Sequence, residues 1–229
     1  VGGGFTIIRA VFFDLYETLI TEWENNEKKA TYSIEALGID KKTYKKEWAL
    51  RRERRMDGTY PDHKSVLRDI LQSLGKPVDE SMIDKVDQLR VESKRVPFQD
   101  INHEVLEMLQ KLKDMNVKLG LISNCTPEEV LDWETTPLAE LFDDVIFSYE
   151  VKLAKPNVEI YQLGCQNLGV SPEESIFIGD GGSDELIGAS KAGLKAYQAT
   201  WFLPTYFSEK ITDYPKLQKP IQLFDVIKL

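Results

Sequence analysis

The chain has 229 residues, 42% of them hydrophobic and 29% charged, with a formal net charge of −9, so it has length for one large domain or a core with a modest insert. No apolar run approaches the roughly 20 residues that a membrane-spanning helix needs. The acidic balance disfavours sequence-independent nucleic-acid binding, which depends on Lys and Arg neutralising phosphates, while an anionic small molecule would need local positive charge from a metal or a buried lysine.

Val1 to Gly4 reads as an added or flexible arm, because it lacks the basic start, apolar stretch and cleavage site of a secretory signal. Ile7 to Phe13 then forms the first apolar run of strand length. From about Glu24 to about Arg95 no convincing strand follows. Helical stretches around Ala30 to Leu37, Tyr44 to Met56, Ser65 to Leu74 and Ser81 to Val91 are separated by Gly38, by Gly58 with Pro61, and by Gly75 with Pro77. Strand-length runs resume at Val117 to Ile122, Val145 to Phe147, Ile176 to Ile178 and Leu194 to Ala199. Helical patterns alternate with them, as where Val105, Leu106, Leu109 and Leu112 share a face. Such alternation implies a parallel sheet covered on both sides. The expected architecture is α/β, a doubly wound parallel sheet formed by residues 5–20 and 97–229, with residues 21–96 as an inserted helical cap. Cys125 and Cys165 lack metal-ligand spacing and are expected to be thiols in a soluble, cytoplasmic protein, monomeric or homodimeric.

Polar residues fall where the strands end: Asp14 after the first, Ser123 and Asn124 after the second, Asp180 after a later one. In an open parallel sheet those ends converge on the ligand crevice. Taken singly, each has a plain structural use, Asp14 in a turn and Ser123 with Asn124 as a helix cap before Pro127. Taken in order they are specific. Phe12-Phe13-Asp14-Leu15-Tyr16-Glu17-Thr18-Leu19, Leu121-Ile122-Ser123-Asn124, Ala154-Lys155-Pro156 and Ile178-Gly179-Asp180-Gly181-Gly182-Ser183-Asp184 resemble the four motifs of the haloacid dehalogenase-like hydrolases. This resemblance implies that Asp14 is the nucleophile and binds Mg²⁺ with Asp180 and the main-chain oxygen of Tyr16, hard oxygen ligands that suit that ion. It further implies that Ser123 donates a hydrogen bond to a phosphoryl oxygen, that Asn124 helps to position it, and that Lys155 balances the charges of Asp14 and the substrate. Asp184 would support the metal directly or through its waters, with Glu185 as the substitute if the loop register shifts by one.

The chain departs from the phosphatase pattern at Tyr16, where an aspartate usually protonates the leaving group and activates water. A phenol could donate a proton, which keeps Tyr16 among the candidate catalytic residues, but it is a poor base at neutral pH. Tyrosine there is similar to the 2-haloacid dehalogenase branch, whose halide needs no proton, although Asp180 and the lack of a clear cap arginine between Tyr32 and Trp48 argue against it. Glu17 also stands where a glycine is usual. The run Arg51-Arg52-Glu53-Arg54-Arg55 reads as a solvated helix face. Trp48, Tyr60 and Phe98, and the tail aromatics Trp201, Phe202, Tyr206 and Phe207, read as packing. The expected activity is Mg²⁺-dependent hydrolysis of a small phosphorylated metabolite through an aspartyl-phosphate. Dehalogenation, or a catalytically idle binding protein, are the alternatives.

Overall fold

The computed structural model describes residues 7–227, so Val1 to Gly4 lie outside the described residues. The first strand, β1 (Ala10–Phe13), is an Ala-Val-Phe-Phe run with every residue buried. Its alternation feeds two different cores: Val11 and Phe13 join one, Ala10 and Phe12 the other. Each buried phenylalanine contributes roughly 1.5–3 kcal/mol. Ile7, expected in this strand, is exposed and precedes it.

After β1 the chain leaves the sheet. A two-residue antiparallel ribbon, β2 (Trp23–Glu24) with β3 (Glu27–Lys28), turns through Asn25 and Asn26 at positive φ. No strand was expected here, yet two adjacent asparagines tolerate the left-handed conformations that a tight hairpin turn requires. The helix expected over Ala30 to Leu37 shrinks to a single turn at Glu35–Leu37, because Thr31, Tyr32, Ser33 and Ile34 are mediocre helix formers. The stretch from Tyr44 to Met56 is two helices, α1 (Lys41–Leu50) and α2 (Arg52–Met56), broken at Arg51. Two longer helices complete the insert, α3 (His63–Ser73) and α4 (Glu80–Arg95), capped by Asp62 and Asp79 accepting from backbone N–H groups of the first turn. Leu67, Ile70, Ile83 and Val86 are fully buried in a separate third core, which also takes in Tyr60 and, partly buried, Trp48. Phe98 packs in the main core instead.

The sheet then resumes. α5 (His103–Asp114), β4 (Lys118–Ser123), α6 (Pro137–Leu141), β5 (Asp144–Phe147), α7 (Ser148–Val151), α8 (Val158–Leu168), β6 (Ser175–Gly179), α9 (Glu185–Lys191), β7 (Lys195–Ala199) and β8 (Lys216–Leu217) follow in order. The six-stranded sheet runs β5-β4-β1-β6-β7-β8, all pairs parallel. β8 was not expected, being too short to register as an apolar run. β1 lies between β4 and β6, the place where strand order reverses and a crevice opens at the carboxyl ends. α9 approaches the Lys155–Pro156 loop closely enough that a Cβ on Gly188 would overlap the Pro156 carbonyl and lie 2.8 Å from its Cα. Gly188→Ala is therefore expected to cost about 2 kcal/mol, lowering Tm by roughly 4–8 °C; an unchanged thermal melt would contradict this packing.

In the tail, Trp201 and Phe202 pack on the main core, and the Trp201 indole N–H donates to the Thr18 carbonyl at 2.9 Å. Tyr206 and Phe207 are exposed, contrary to the expected packing of all four aromatics. Both cysteines are buried free thiols. Among the described residues no helix is long and apolar enough to cross a membrane.

Candidate active site

Asp14 is the first residue beyond β1, its backbone N–H still bonded to the Ile178 carbonyl on β6 at 2.9 Å. Central placement in the sheet thus fixes the carboxylate at the crevice. Ser123 closes β4 and Asp180 follows β6, so three strand ends bring their polar residues to one cavity of about 160 Å³, which Lys155, Glu17 and Ser183 also line. The Ser123 hydroxyl is buried and, among the described residues, has no hydrogen-bond partner. A buried donor left unmatched is costly, and this one faces the cavity wall where a ligand oxygen would satisfy it.

Asp14, Asp180 and Glu185 each offer a carboxylate oxygen within 4.8 Å of the others. Burial, and then the neighbouring Asp14, raise the pKa of both Asp180 and Glu185 above the ordinary carboxylate range. Crowded, desolvated acids of this kind gain most from a cation, and a hard oxygen set fits Mg²⁺. Asp184 is not part of the cluster: it is exposed, while Glu185 is buried beside Lys155. The reason is local. Gly181, Ser183 and Asp184 all adopt positive φ, which turns the loop so that Glu185 rather than Asp184 faces inward.

Lys155 is buried, its ammonium 2.6 Å from Asp14 Oδ1 and 2.5 Å from Glu185 Oε2. Burial alone would lower its pKa, but Asp14 and Glu185 more than offset that and hold it above the ordinary lysine value. Asn124 engages the Lys155 backbone. Its amide N–H donates to the Lys155 carbonyl and its oxygen accepts from the Lys155 N–H, both at 2.8 Å. With both ends engaged it fixes the lysine loop while also lining the cavity.

Tyr16 contributes its backbone to the loop after Asp14, while its hydroxyl donates to the Glu129 carbonyl at 2.6 Å and its ring packs edge-on against Phe98. Burial, then Glu129 and Glu22, push the phenol pKa well above its ordinary value. It is therefore neither a base nor a free acid at neutral pH. Tyr16→Phe is expected to change kcat less than about 3-fold, whereas loss of a true acid–base group costs about 10²–10⁴-fold; a 100-fold fall in phosphate release would reinstate the phenol. Glu17, at φ 59°, occupies the left-handed position that favours glycine. Its carboxyl accepts from the Thr21 hydroxyl at 2.5 Å and the Glu22 N–H at 2.9 Å, and burial raises its pKa to about 7.

The arginine run is not a uniform solvated face. Arg51 and Arg55 are buried, four residues apart, while Arg52, Glu53 and Arg54 between them are exposed. Arg52 crosses to the crevice, its Nη2 donating to Ser183 Oγ at 2.6 Å. The insert is also tied down by Arg90 on α4, buried and paired with Glu128 at 2.7 Å and Glu129 at 2.8 Å.

Several known proteins are similar to this chain. Pyrophosphatase PpaX of Bacillus cereus is 27% identical over 177 residues, 68% of this chain and 81% of that protein. Glyceraldehyde 3-phosphate phosphatase of Methanopyrus kandleri is 27% identical over 135 residues, 55% of each chain. In fold, the chain is similar to 2-haloacid dehalogenase from Pseudomonas syringae pv. Tomato, with TM-score 0.67 at 20% identity over 96% of this chain and 98% of that one. It is similar also to a HAD family enzyme from Bacteroides thetaiotaomicron in complex with magnesium and inorganic phosphate, with TM-score 0.60 at 23% identity over 84% and 94%. The match to the haloacid dehalogenase-like hydrolases runs over residues 8–193, from the approach to β1 through the acidic loop and α9, and the chain belongs to that family of hydrolases.

Proposed function

We propose that this hydrolase is a Mg²⁺-dependent phosphatase acting on a small phosphorylated metabolite, with residues 21–96 as a cap over the strand ends. The observation that carries the reading is the convergence of Asp14, Asp180 and Glu185 on one point. Those carboxylates, with the Tyr16 main-chain oxygen, would hold the ion. Bound there, Mg²⁺ supplies the positive charge that lets an anionic phosphoryl group approach an anionic nucleophile.

The protein's own groups do the rest. An Asp14 carboxylate oxygen attacks phosphorus as the ester P–O bond breaks, giving an aspartyl-phosphate and an alcohol whose oxygen keeps the bond's electron pair and takes a proton from water; a second water then cleaves the intermediate to free phosphate and Asp14. Ser123 donates its unmatched O–H to a phosphoryl oxygen. Lys155 holds Asp14 in place and neutralises charge as the phosphoryl group transfers. Asn124 keeps the lysine loop seated. Glu185, rather than Asp184, completes the acidic set.

The test is phosphate release from a panel of phosphomonoesters and pyrophosphate with Mg²⁺ present or chelated. Release that needs Mg²⁺ is expected, and a chelator-insensitive rate would overturn the assignment. Binding without turnover would instead mark an idle protein. Tyr16 favours a second reading, carbon–halogen cleavage, since a halide leaves without a proton. Halide release from a 2-haloacid in the presence of chelator would support it.

A further inference from the structure

The cavity beside Asp14 is short of positive charge. Asp14, Glu17, Asp180 and Glu185 face it against the single ammonium of Lys155, so a divalent ion still leaves an incoming phosphate under-compensated. Another cation should lie within reach. Of the eight arginines, all among the described residues, Arg9, Arg51, Arg54, Arg68, Arg90 and Arg95 pair with carboxylates. The two without such a pair, Arg52 and Arg55, share the short helix α2.

They differ in what surrounds them. Arg55 is buried with its guanidinium 3.9 Å from the centre of the Trp48 ring and donates to the Trp48 carbonyl at 3.3 Å. Although burial lowers its pKa to about 10, Glu129 opposes that fall, so its charge is taken up by Trp48 and Glu129, away from the cavity. Arg52 has only the neutral Ser183 hydroxyl, a residue of the cavity wall. A guanidinium presented to the site and held by nothing charged is ready to trade that hydroxyl for an anion.

A second observation concerns the leaving group. The Tyr16 hydroxyl donates to Glu129, and both Glu17 oxygens accept hydrogen bonds from Thr21 and Glu22. Neither is aimed at a departing alkoxide. The site therefore suits a leaving group stable without a donated proton, and a phosphate is one.

We propose that Arg52 recognises an anionic leaving group, and that the substrate class is a compact diphosphate rather than a phosphate ester of a neutral alcohol. The proposal rests on the phosphatase reading above. In the step, an Asp14 oxygen bonds to the attacked phosphorus and the bridging P–O bond breaks. The electron pair stays on the departing hydrogen phosphate, which keeps the proton that the diphosphate carried in. Arg52 offsets its charge.

The experiment compares wild type, Arg52→Ala and Arg52→Lys in Mg²⁺ on inorganic pyrophosphate and on glyceraldehyde 3-phosphate. Arg52→Ala should lose about 30-fold in kcat/KM for pyrophosphate, mainly through KM, and less than about 3-fold for glyceraldehyde 3-phosphate. Arg52→Lys should recover part of the loss. Equal losses on both substrates, or no loss on pyrophosphate, overturn the proposal. Calorimetric binding of imidodiphosphate and of phosphate to Asp14→Asn, with and without Arg52→Ala, needs no turnover. An imidodiphosphate affinity that falls with Arg52 while phosphate affinity holds supports Arg52 as the diphosphate-recognising residue even if the wild type hydrolyses neither substrate, in which case the phosphatase reading, and with it the diphosphate as substrate, fails. Affinities that do not depend on Arg52 sink it.

Discussion

Asp14→Asn should reduce Mg²⁺-dependent phosphate release by at least about 10⁴-fold without weakening the fold. Asparagine has nearly the same shape and keeps an oxygen for the Lys155 ammonium, now 2.6 Å from Asp14 Oδ1, and the backbone bond to Ile178 is untouched. What disappears is the anionic nucleophile and one metal ligand. Three acids packed within 4.8 Å repel one another, so removing one charge is expected to leave Tm equal or higher, the usual relation between an active site and stability. Turnover and a thermal melt measured together check both halves. Substantial retained activity would remove Asp14 as nucleophile.

Lys155→Met should be damaging in a different way. The ammonium is the common partner of Asp14 and Glu185, both buried, and removing the one cation that offsets buried carboxylates leaves them uncompensated at a cost of about 3–5 kcal/mol. Activity should fall by roughly 10³-fold as well, in line with loss of a preorganised electrostatic contact. The stability loss carries a pH signature. Burial and Asp14 already hold the Glu185 pKa above its unfolded value, with Lys155 acting to lower it. Without the lysine the folded state holds that proton more tightly still. A folded state that binds more protons than the unfolded one loses stability as pH rises above the unfolded carboxylate value near 4.3 and up through the folded one. The deficit of Lys155→Met should thus be larger at pH 8 than at pH 5 in urea melts. Equal deficits would mean that the carboxylates find another partner.

Much of this arrangement is legible in the sequence where local chemistry decides the outcome. Short apolar runs alternating with helical patterns suit strands of a covered parallel sheet, so β1, β4, β6 and β7 were legible from them. The convergence of Asp14, Ser123 and Asp180 follows from where those runs stop. β8 escapes because two residues carry no pattern, and it exists through pairing with β7. Asp184 and Glu185 could not be separated because the choice depends on Ser183 and Asp184 taking left-handed conformations, a tertiary demand on residues with no strong preference for them.

The arginine run was opaque for a related reason. Helical spacing does put Arg51 and Arg55 on one face, but a run of charge normally signals solvent. Here Arg51 finds Glu47, Asp69 and Ser73, Arg54 stacks over Tyr60, and Arg52 leaves the insert altogether for Ser183. Partners from four to 131 residues away gave these three neighbouring side chains unlike environments. Asn124 makes the same point: its position after a strand was plain, but its engagement with Lys155, 31 residues away, was not.

The Arg90 clamp bears on how the molecule comes apart when heated. Burial would raise the Glu129 pKa, but Lys94 and Arg90 more than offset it and hold it at about 2, so the ionic knot between α4 and the turn after β4 survives far into acid. Lifting the helices off the sheet would strand those charges without partners. The two lobes should consequently melt in one endotherm instead of two, despite having separate interiors.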